Sequence, residues 1–227
     1  MIKFENTEVF NFEGAIRGMR NPLNSWDKSD SFMCKEEMEK ECPSGCSFRN
    51  ECPVFGTENF YVIGPNDLDL MKRLIKAGSD HRKFMRQIFV SVDITAPLYW
   101  WKEFDTYKVA TVSNSCSTMH TIHKKEFTID DFSHEKMINR FVLTRVIEEL
   151  NRLRNHYLEE NNKEFWYTII QLLPSSYNQR RTITLNYETL YNIYGSRRNH
   201  KLDEWSIGFM NWIDSLPYAE EFIKNAR

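Results

Sequence analysis

Alternating polar and apolar positions predict three β-strands along the chain. IKFENTEVF at the start, QIFVSVDIT at 87–95 and RTITLN at 181–186 are rich in β-branched or aromatic residues. Successive side chains of a strand point to opposite faces, so this alternation is typical of a strand with one buried face. We therefore expect one sheet that contains antiparallel strands.

Apolar residues at helical spacing predict the elements around these strands. NFEGAIRGMR ends before Pro22, PNDLDLMKRLIKAG has Asn66 as its N-cap and Gly78 as its stop, and Pro97 begins PLYWWKEFDTY. An apolar stripe predicts one long amphipathic helix from Asp131 to Glu160. The stripe is expected to lie in the core, and it consists of Met137, Ile138, Phe141, Val142, Val146, Ile147, Leu150 and Leu153. Three more helices are predicted at about 162–172, 187–195 and 202–214. The pattern as a whole predicts an α+β fold, in which helices pack on the sheet, within a single domain spanning 1–227.

The charge balance argues against a nucleic-acid or membrane surface. Thirty basic residues face 32 acidic ones, for a formal net charge of −2. No window of about 18 uncharged apolar residues is long enough to span a bilayer, and MIKFENTEVF lacks the layout of a signal peptide. These features predict a cytoplasmic protein without a membrane or nucleic-acid partner.

A cysteine-rich segment interrupts the pattern at about 28–57. Cys34, Cys42, Cys46 and Cys52 follow the spacing C-x7-C-x3-C-x5-C, among polar residues, prolines and glycines. Four thiolates in a segment with few apolar residues predict a zinc ion or an iron–sulfur cluster that helps the insertion to fold. The alternative is a set of free or oxidised thiols, because the spacing matches no paired CxxC motif.

The stretch TYKVATVSNSCSTMH, at 106–120, concentrates small hydroxyl residues after a predicted helix. Backbone amides and hydroxyls in such a loop can line a phosphate or a nucleotide, and Lys108 adds a positive charge. Cys116 is either a small buried hydrophobe or a nucleophile partnered by His120 or His123.

Polar residues also cluster in TLNYETLYNIYGSRRNHKLDEW, at 184–205. Asn186 ends the third predicted strand, and Asn192 lies in the helix that follows. Arg197 and Arg198 could bind a phosphate or a planar carbonyl edge in a bidentate manner. The alternative is a solvated basic turn neutralised by the acidic residues after it.

These segments together resemble the flavin-dependent thymidylate synthases, of the type found in phages and Firmicutes. The family signature RHRxxSxNExSxR follows a strand, a proline and a helix, and PLYWWKEFDTYKVATVSNSCST occupies that place. TYK corresponds to RHR, so Lys108 alone retains a positive charge. The remaining signature positions correspond to Thr111, Ser113, Asn114, Cys116 and Thr118.

The C-terminal half resembles the same family more closely. The family has a Leu-Pro, a strand that ends in asparagine, a helix with a leucine and a second asparagine, and then an arginine. Leu173-Pro174, Asn186, Leu190, Asn192 and Arg197 keep this order and spacing. The resemblance therefore covers most of the chain outside the cysteine-rich insertion.

The resemblance implies a homotetramer that binds FAD and a pyrimidine nucleotide such as dUMP, and that methylates or otherwise modifies the pyrimidine C5. Arg197 would be catalytic, because its charge would favour the N3 anion of the pyrimidine. The implied FAD-binding residues are Thr106, Tyr107, Lys108, Asn114, Asn186, Glu188 and Asn192. The implied substrate-binding residues are Glu103, Thr106, Ser115, Cys116, Ser117, Thr118 and Arg197. The alternative is a non-catalytic, oligomeric nucleotide-binding or interaction protein with a structural metal site.

Overall fold

The computed structural model describes residues 2–34 and 60–224. Contacts divide the chain into two compact units. The first unit comprises Met1–Thr7, Ser91–Thr184 and Arg198–Met210, and the second comprises Glu8–Val90, Leu185–Arg197 and Asn211–Arg227. The single domain over 1–227 stays a prediction. Within the described ranges, no helix is both long enough and apolar enough to cross a bilayer.

In the described residues six strands form two sheets, and the three strands expected from the alternating pattern are all present. The strands are β1 (Lys3–Phe10), β2 (Phe32–Cys34), β3 (Phe60–Val62), β4 (Phe89–Pro97), β5 (Val112–Ser115) and β6 (Asn178–Asn186). One sheet has four strands in the order β1-β4-β6-β5, and β2 pairs with β3 in a second, antiparallel sheet. In β4 the buried residues Val90, Val92 and Ile94 alternate with partly exposed ones, as the period of two predicts.

Helices account for most of the remaining described residues, which confirms the α+β class. They are α1 (Phe12–Arg20), α2 (Pro65–Lys76), α3 (Leu98–Phe104), α4 (Thr118–Thr121), α5 (Phe141–Glu160), α6 (Lys163–Leu172), α7 (Tyr187–Arg197) and α8 (Met210–Asp214). A π-helical stretch, Glu204–Phe209, leads directly into α8, and a 3-10 helix covers Arg82–Gln87.

The long predicted helix begins ten residues later than expected, at Phe141 instead of Asp131. Leu150 and Leu153 are buried against α6, as the apolar stripe predicts. Ile138 is fully exposed, and Phe141 and Val142 are about three-fifths exposed. The prediction that these residues belong to the core is therefore wrong. Periodicity identified the stripe correctly only where the helix has a partner to pack on.

An aromatic cluster supports α3 in the first unit. Trp100 stacks on Trp205 with ring centroids 4.5 Å apart and on Phe104 at 5.1 Å. Trp101 and Phe209 complete the cluster, and all five side chains are at most 2% exposed. Because closely packed interiors resist deformation, the chain leaves α3 from a rigid base.

A side chain distant in sequence caps α2 in the second unit. The Asp30 carboxylate accepts hydrogen bonds from the backbone N–H groups of Asn66 (2.8 Å) and Asp67 (3.1 Å). The N-cap position itself belongs to Gly64, so the prediction that Asn66 is the N-cap is wrong. A Cβ on Gly64 would lie 2.3 Å from the Asp30 side chain, so glycine allows this close approach.

The predicted metal-binding cysteines fall mostly outside the described residues. Cys34 ends β2, where its backbone pairs with Phe60, while Cys42, Cys46 and Cys52 lie in the undescribed range. Among the residues that the structure does describe, no group of three or more His, Cys, Asp or Glu side chains could hold a metal ion. The cysteine site stays a prediction.

Candidate functional site

The predicted ligand-lining stretch leaves the C-terminal end of α3 as a tight turn. The Thr106 hydroxyl donates to the Glu103 carbonyl oxygen at 2.7 Å, and the Tyr107 N–H donates to the Phe104 carbonyl oxygen at 3.0 Å. Ala110 has a φ of 54°, in the left-handed region that alanine rarely adopts. Thr106 and Lys108 are exposed, and Tyr107 is half-buried. The turn thus holds an unusual backbone shape and presents polar side chains to solvent.

The second half of this stretch is more regular than the predicted loop. Val112–Ser115 forms β5, which pairs antiparallel with β6 so that Asn114 lies opposite Thr182 and Ser115 opposite Arg181. Thr118–Thr121 forms α4, whose N-cap is Ser117. The prediction of an irregular loop is wrong here because hydrogen bonds to a strand about seventy residues later impose the extended conformation.

Cys116 follows β5 and is exposed. Its N–H donates to the Arg180 carbonyl oxygen at 2.9 Å, which extends the pairing with β6 by one residue. Cys116 as a buried hydrophobe is therefore wrong. Within the described part of the chain, no hydrogen bond joins its thiol to His120 or His123.

Arg181 on β6 contacts the beginning of the segment. Its Nη1 donates to Asp105 Oδ1 at 2.8 Å, and its Nε donates to Gln179 Oε1 at 2.9 Å. The guanidinium carbon lies 4.2 Å from the centroid of the Trp101 ring, in a cation–π contact. The Arg181 side chain is only 14% exposed, so these interactions are partly shielded from water.

Gln179 contacts the end of the same segment. Its Nε2 donates to the Cys116 carbonyl oxygen at 3.0 Å and to Thr118 Oγ1 at 3.2 Å. The backbone carbonyl oxygen of Gln179 accepts a hydrogen bond from Trp101 Nε1 at 2.9 Å. Arg181 and Gln179 therefore connect both ends of residues 105–118, which we name the hydroxyl segment, to β6 and α3.

Glu103, a predicted substrate-binding residue, pairs with His200. Glu103 Oε2 lies 3.2 Å from His200 Nε2, and the Leu202 N–H donates to His200 Nδ1 at 3.2 Å. The backbone hydrogen bond to Nδ1 leaves Nε2 as the ring nitrogen that lies next to the Glu103 carboxylate. Glu103 lies in the last turn of α3, two residues before Asp105.

Two predicted flavin-binding residues of the second unit have structural partners. Asn186 is buried, and its side-chain oxygen accepts hydrogen bonds from the N–H (2.9 Å) and hydroxyl (3.1 Å) of Thr189, which caps α7. Glu188 forms ion pairs with Arg82 and Arg86. Burial raises the pKa of Glu188, but the hydrogen bonds and charges of the two arginines outweigh this effect and lower that pKa below its usual value.

The other two predicted residues of the second unit lie further along α7. Asn192 is exposed in the middle of the helix, and Arg197 is its half-buried last residue. Arg82 stacks on Tyr191, with 4.7 Å between its guanidinium carbon and the ring centroid. The second unit thus combines the predicted amide and arginine side chains with a basic pair that the sequence interpretation did not include.

The sequence interpretation also missed Arg181, Gln179 and Asp105. The sequence does indicate that one of the two adjacent arginines, Arg180 or Arg181, faces each side of the sheet, because adjacent side chains of a strand point to opposite faces. Arg180 and Arg181 follow this rule, since Arg180 pairs with Asp93 while Arg181 pairs with Asp105. Only the register of β6 shows which arginine contacts the hydroxyl segment.

The fold is similar over almost its full length to solved structures. Thymidylate synthase X from Helicobacter pylori, solved with FAD and dUMP, has a TM-score of 0.67 and 15% identity, covering 99% of this chain and 97% of that one. A second structure, of the flavin-dependent thymidylate synthase from the same organism complexed with FAD and dUMP, has a TM-score of 0.64 and 16% identity, with 97% of each chain covered. No protein-family model matches the sequence, and neither does any curated protein. The chain therefore has the fold of the flavin-dependent thymidylate synthases.

Proposed function

We propose that this protein binds FAD and a pyrimidine nucleotide such as dUMP, and that it modifies C5 of the pyrimidine. The observation that carries the proposal is the similarity of fold over 99% of the chain to a structure solved with FAD and dUMP. Fold alone does not determine function, so the proposal also rests on the polar groups of the hydroxyl segment and on Arg197.

The hydroxyl segment provides groups suited to a nucleotide. Its polar side chains, all exposed or half-exposed, are hydroxyls, an amide, a thiol, the Asp105 carboxylate and one cation, Lys108. Ser115, Cys116, Ser117 and Thr118 are proposed to contact the nucleotide, and Glu103 would accept a hydrogen bond from a base N–H.

The proposed FAD contacts are Thr106, Tyr107, Lys108 and Asn114 in the first unit and Asn186, Glu188 and Asn192 in the second. Exposed Lys108 and Asn114 suit the phosphate and hydroxyl groups of such a cofactor. Glu188 is already bonded to two arginines, so it would act by orienting Arg82 and Arg86. When bound, FAD would supply the reducing chemistry.

Arg197 is proposed to favour the N3 anion of the pyrimidine, because a fixed positive charge stabilises negative charge that develops beside it. The remaining expectations from the resemblance are kept as proposals. They are a homotetramer, a cytoplasmic location and a relationship to the phage and Firmicute type.

The test is an absorbance spectrum of the purified protein, followed by titration with FAD and then with dUMP. We expect flavin bands that change when dUMP is added, and exchange of the dUMP C5 proton into D2O, detected by NMR. Arg197→Gln should reduce this exchange at least about tenfold, the effect of losing one charged hydrogen bond in the reaction. Arg198→Gln, at an exposed position, is the matched control.

A second candidate function is nucleotide binding without catalysis. It is favoured by Thr106 and Thr118, which stand where the resemblance places arginines, so the segment carries less positive charge than the signature would supply. Binding of FAD and dUMP without exchange of the C5 proton would select this candidate. A protein that binds neither ligand would overturn both.

A further inference from the structure

We propose that Arg181 and Gln179 are positioning residues, which set the shape of the two ends of the hydroxyl segment and thereby its affinity for flavin and nucleotide. The inference rests on the proposed function, because it concerns the same segment. Neither residue is proposed to touch a ligand.

Arg181 determines the first end of the segment. Asp105 is the first residue after α3, and its carboxylate is held by Arg181 Nη1 at 2.8 Å. The guanidinium of Arg181 also stacks on the Trp101 ring, with its carbon 4.2 Å from the ring centroid. A planar guanidinium can donate to two acceptors in its plane while its face stacks on a ring, whereas an ammonium group has no planar face to stack. Arg181 thus fixes the position of Asp105, from which the chain continues into Thr106, Tyr107 and Lys108.

Gln179 determines the other end. Its Nε2 donates to the backbone of Cys116 and to the side chain of Thr118, and both residues belong to the proposed nucleotide-contacting group. Its Oε1 accepts from Arg181 Nε at 2.9 Å. The side-chain amide of Gln179 therefore links Arg181 to the second end of the segment through hydrogen bonds, so the positions of the two ends depend on each other.

The segment needs such support because it is exposed and its backbone is strained. All four residues of β5 are exposed, and Ala110 holds a left-handed backbone conformation that costs about 1 kcal/mol or more. A strained turn keeps its shape only where its surroundings enforce it. Arg181 and Gln179 supply that enforcement from β6, whose neighbouring residues Ile183 and Leu185 are buried.

Three substitutions separate the two ends. Asp105→Asn removes the charge at the first end, and we expect about a tenfold loss of FAD affinity with a smaller change for dUMP. Gln179→Glu keeps the acceptor for Arg181 but removes both donated hydrogen bonds, so the larger loss should be for dUMP. Arg181→Lys should lower the affinity for both FAD and dUMP about tenfold. A purely structural role would not produce opposite preferences in the first two variants.

Arg180→Lys is the matched control. Arg180 is the adjacent arginine of the same strand, and the ion pairs of its side chain are with Asp93 and Glu5, which lie outside the hydroxyl segment. Its substitution should leave both affinities within about twofold of the wild type. Equal losses in Arg180→Lys and Arg181→Lys, or unchanged dUMP affinity in Gln179→Glu, would overturn the inference.

Amide hydrogen exchange provides a readout that does not depend on ligands. Asp105→Asn should accelerate exchange at Thr106 and Tyr107, and Gln179→Glu should accelerate it at Cys116, because these N–H groups are bonded at the two ends. If the wild type binds neither ligand, the proposed function fails while exchange still judges the positioning role. Unchanged exchange at both ends would contradict that role.

Discussion

Asp93 connects three strands of the four-stranded sheet through one carboxylate. It accepts hydrogen bonds from Thr182 Oγ1 (2.5 Å), Arg180 Nη2 (2.7 Å) and Asn6 Nδ2 (2.8 Å). The Thr182 hydroxyl, followed by Arg180 and Asn6, lowers the pKa of Asp93 well below its usual value. Asn6 has a φ of 52°, a conformation that asparagine tolerates better than most residues.

Replacing Asp93 with asparagine should lower the thermal stability in a manner that depends on pH. The folded-state pKa lies below the unfolded value of 3.8, so the carboxylate contributes stability above that pH and loses it as the pH falls further. The difference in Tm between wild type and Asp93→Asn should therefore be largest near neutrality and shrink in acid. Melting curves over a pH series measure this difference.

Asp69→Asn is the control for that experiment, because Asp69 is exposed on α2 and forms a single ion pair with Arg73. It should show little effect at any pH. A Tm difference for Asp93→Asn that stays constant from neutral to acidic pH would contradict the proposed linkage.

Adjacent tryptophans of α3 should respond differently to replacement by phenylalanine. Trp101 Nε1 donates to the Gln179 carbonyl oxygen, and its ring carries Arg181. Trp100 Nε1 is buried without a hydrogen-bond partner in the described part of the chain. Trp101→Phe should thus be the more destabilising change, by about 1–2 kcal/mol. Urea unfolding compares the two variants, and an equal or larger loss for Trp100→Phe would contradict this reasoning.

At the scale of elements, α5 offers a contrast between its buried and exposed apolar residues. Leu150 has no exposed surface in the cluster shared with α6, whereas Ile138 precedes the helix and is fully exposed. Leu150→Ala should cost about 2–5 kcal/mol through lost burial and a cavity, and Ile138→Ala less than about 0.5 kcal/mol. Chemical denaturation measures both. Similar costs at the two positions would show that Ile138 is covered in solution.

Most elements could be predicted from the sequence because their signals are local. The alternation of β4 and the second half of the α5 stripe correspond to buried positions in the structure. β5 has no such signal, since all four of its residues are exposed and only its pairing with β6 makes it a strand. The cap of α2 was missed for the same reason, because Asp30 reaches it from 36 residues earlier.

The candidate site was predictable in location but not in construction. Hydroxyl density and the family resemblance both indicate residues 106–118 from the sequence alone. The contacts that shape this segment come from Arg181 and Gln179, and they depend on strand register and on the direction in which side chains point. A single sequence carries no local signal for such contacts.

At the scale of the whole molecule, the chain shares its fold with a structure at 15% identity. Where the resemblance places the arginines of the signature, the sequence has Thr106, Lys108 and Thr118, and so it lacks most of that charge. A fold tolerates such loss because its core depends on burial, as in the aromatic cluster, whereas charged ligand contacts contribute to binding. The similarity therefore constrains architecture more strongly than chemistry.

The four-cysteine insertion is predicted to bind one zinc ion or one iron–sulfur cluster per chain. Cys42→Ser and Cys46→Ser should each remove most of the metal, because a tetrahedral site with four protein ligands tolerates no loss of a thiolate. Metal analysis of protein purified without added metal tests this. Cys116→Ser is the control, since Cys116 is exposed beside β5 and outside the insertion. Equal metal content in all variants would leave the free-thiol alternative.

The neighbouring arginines of β6 also have a consequence for how the chain finds its fold. A slip of β6 by one residue relative to its neighbours would turn Arg180 and Arg181 to the wrong faces. One arginine would then lie at the position that the other now occupies, and only one of the two carboxylates would keep an arginine at its present partner position. In each misaligned sheet Gln179 or Thr182 would therefore stand at one of the two arginine positions, so this arginine pair disfavours incorrect strand alignment as well as stabilising the correct one.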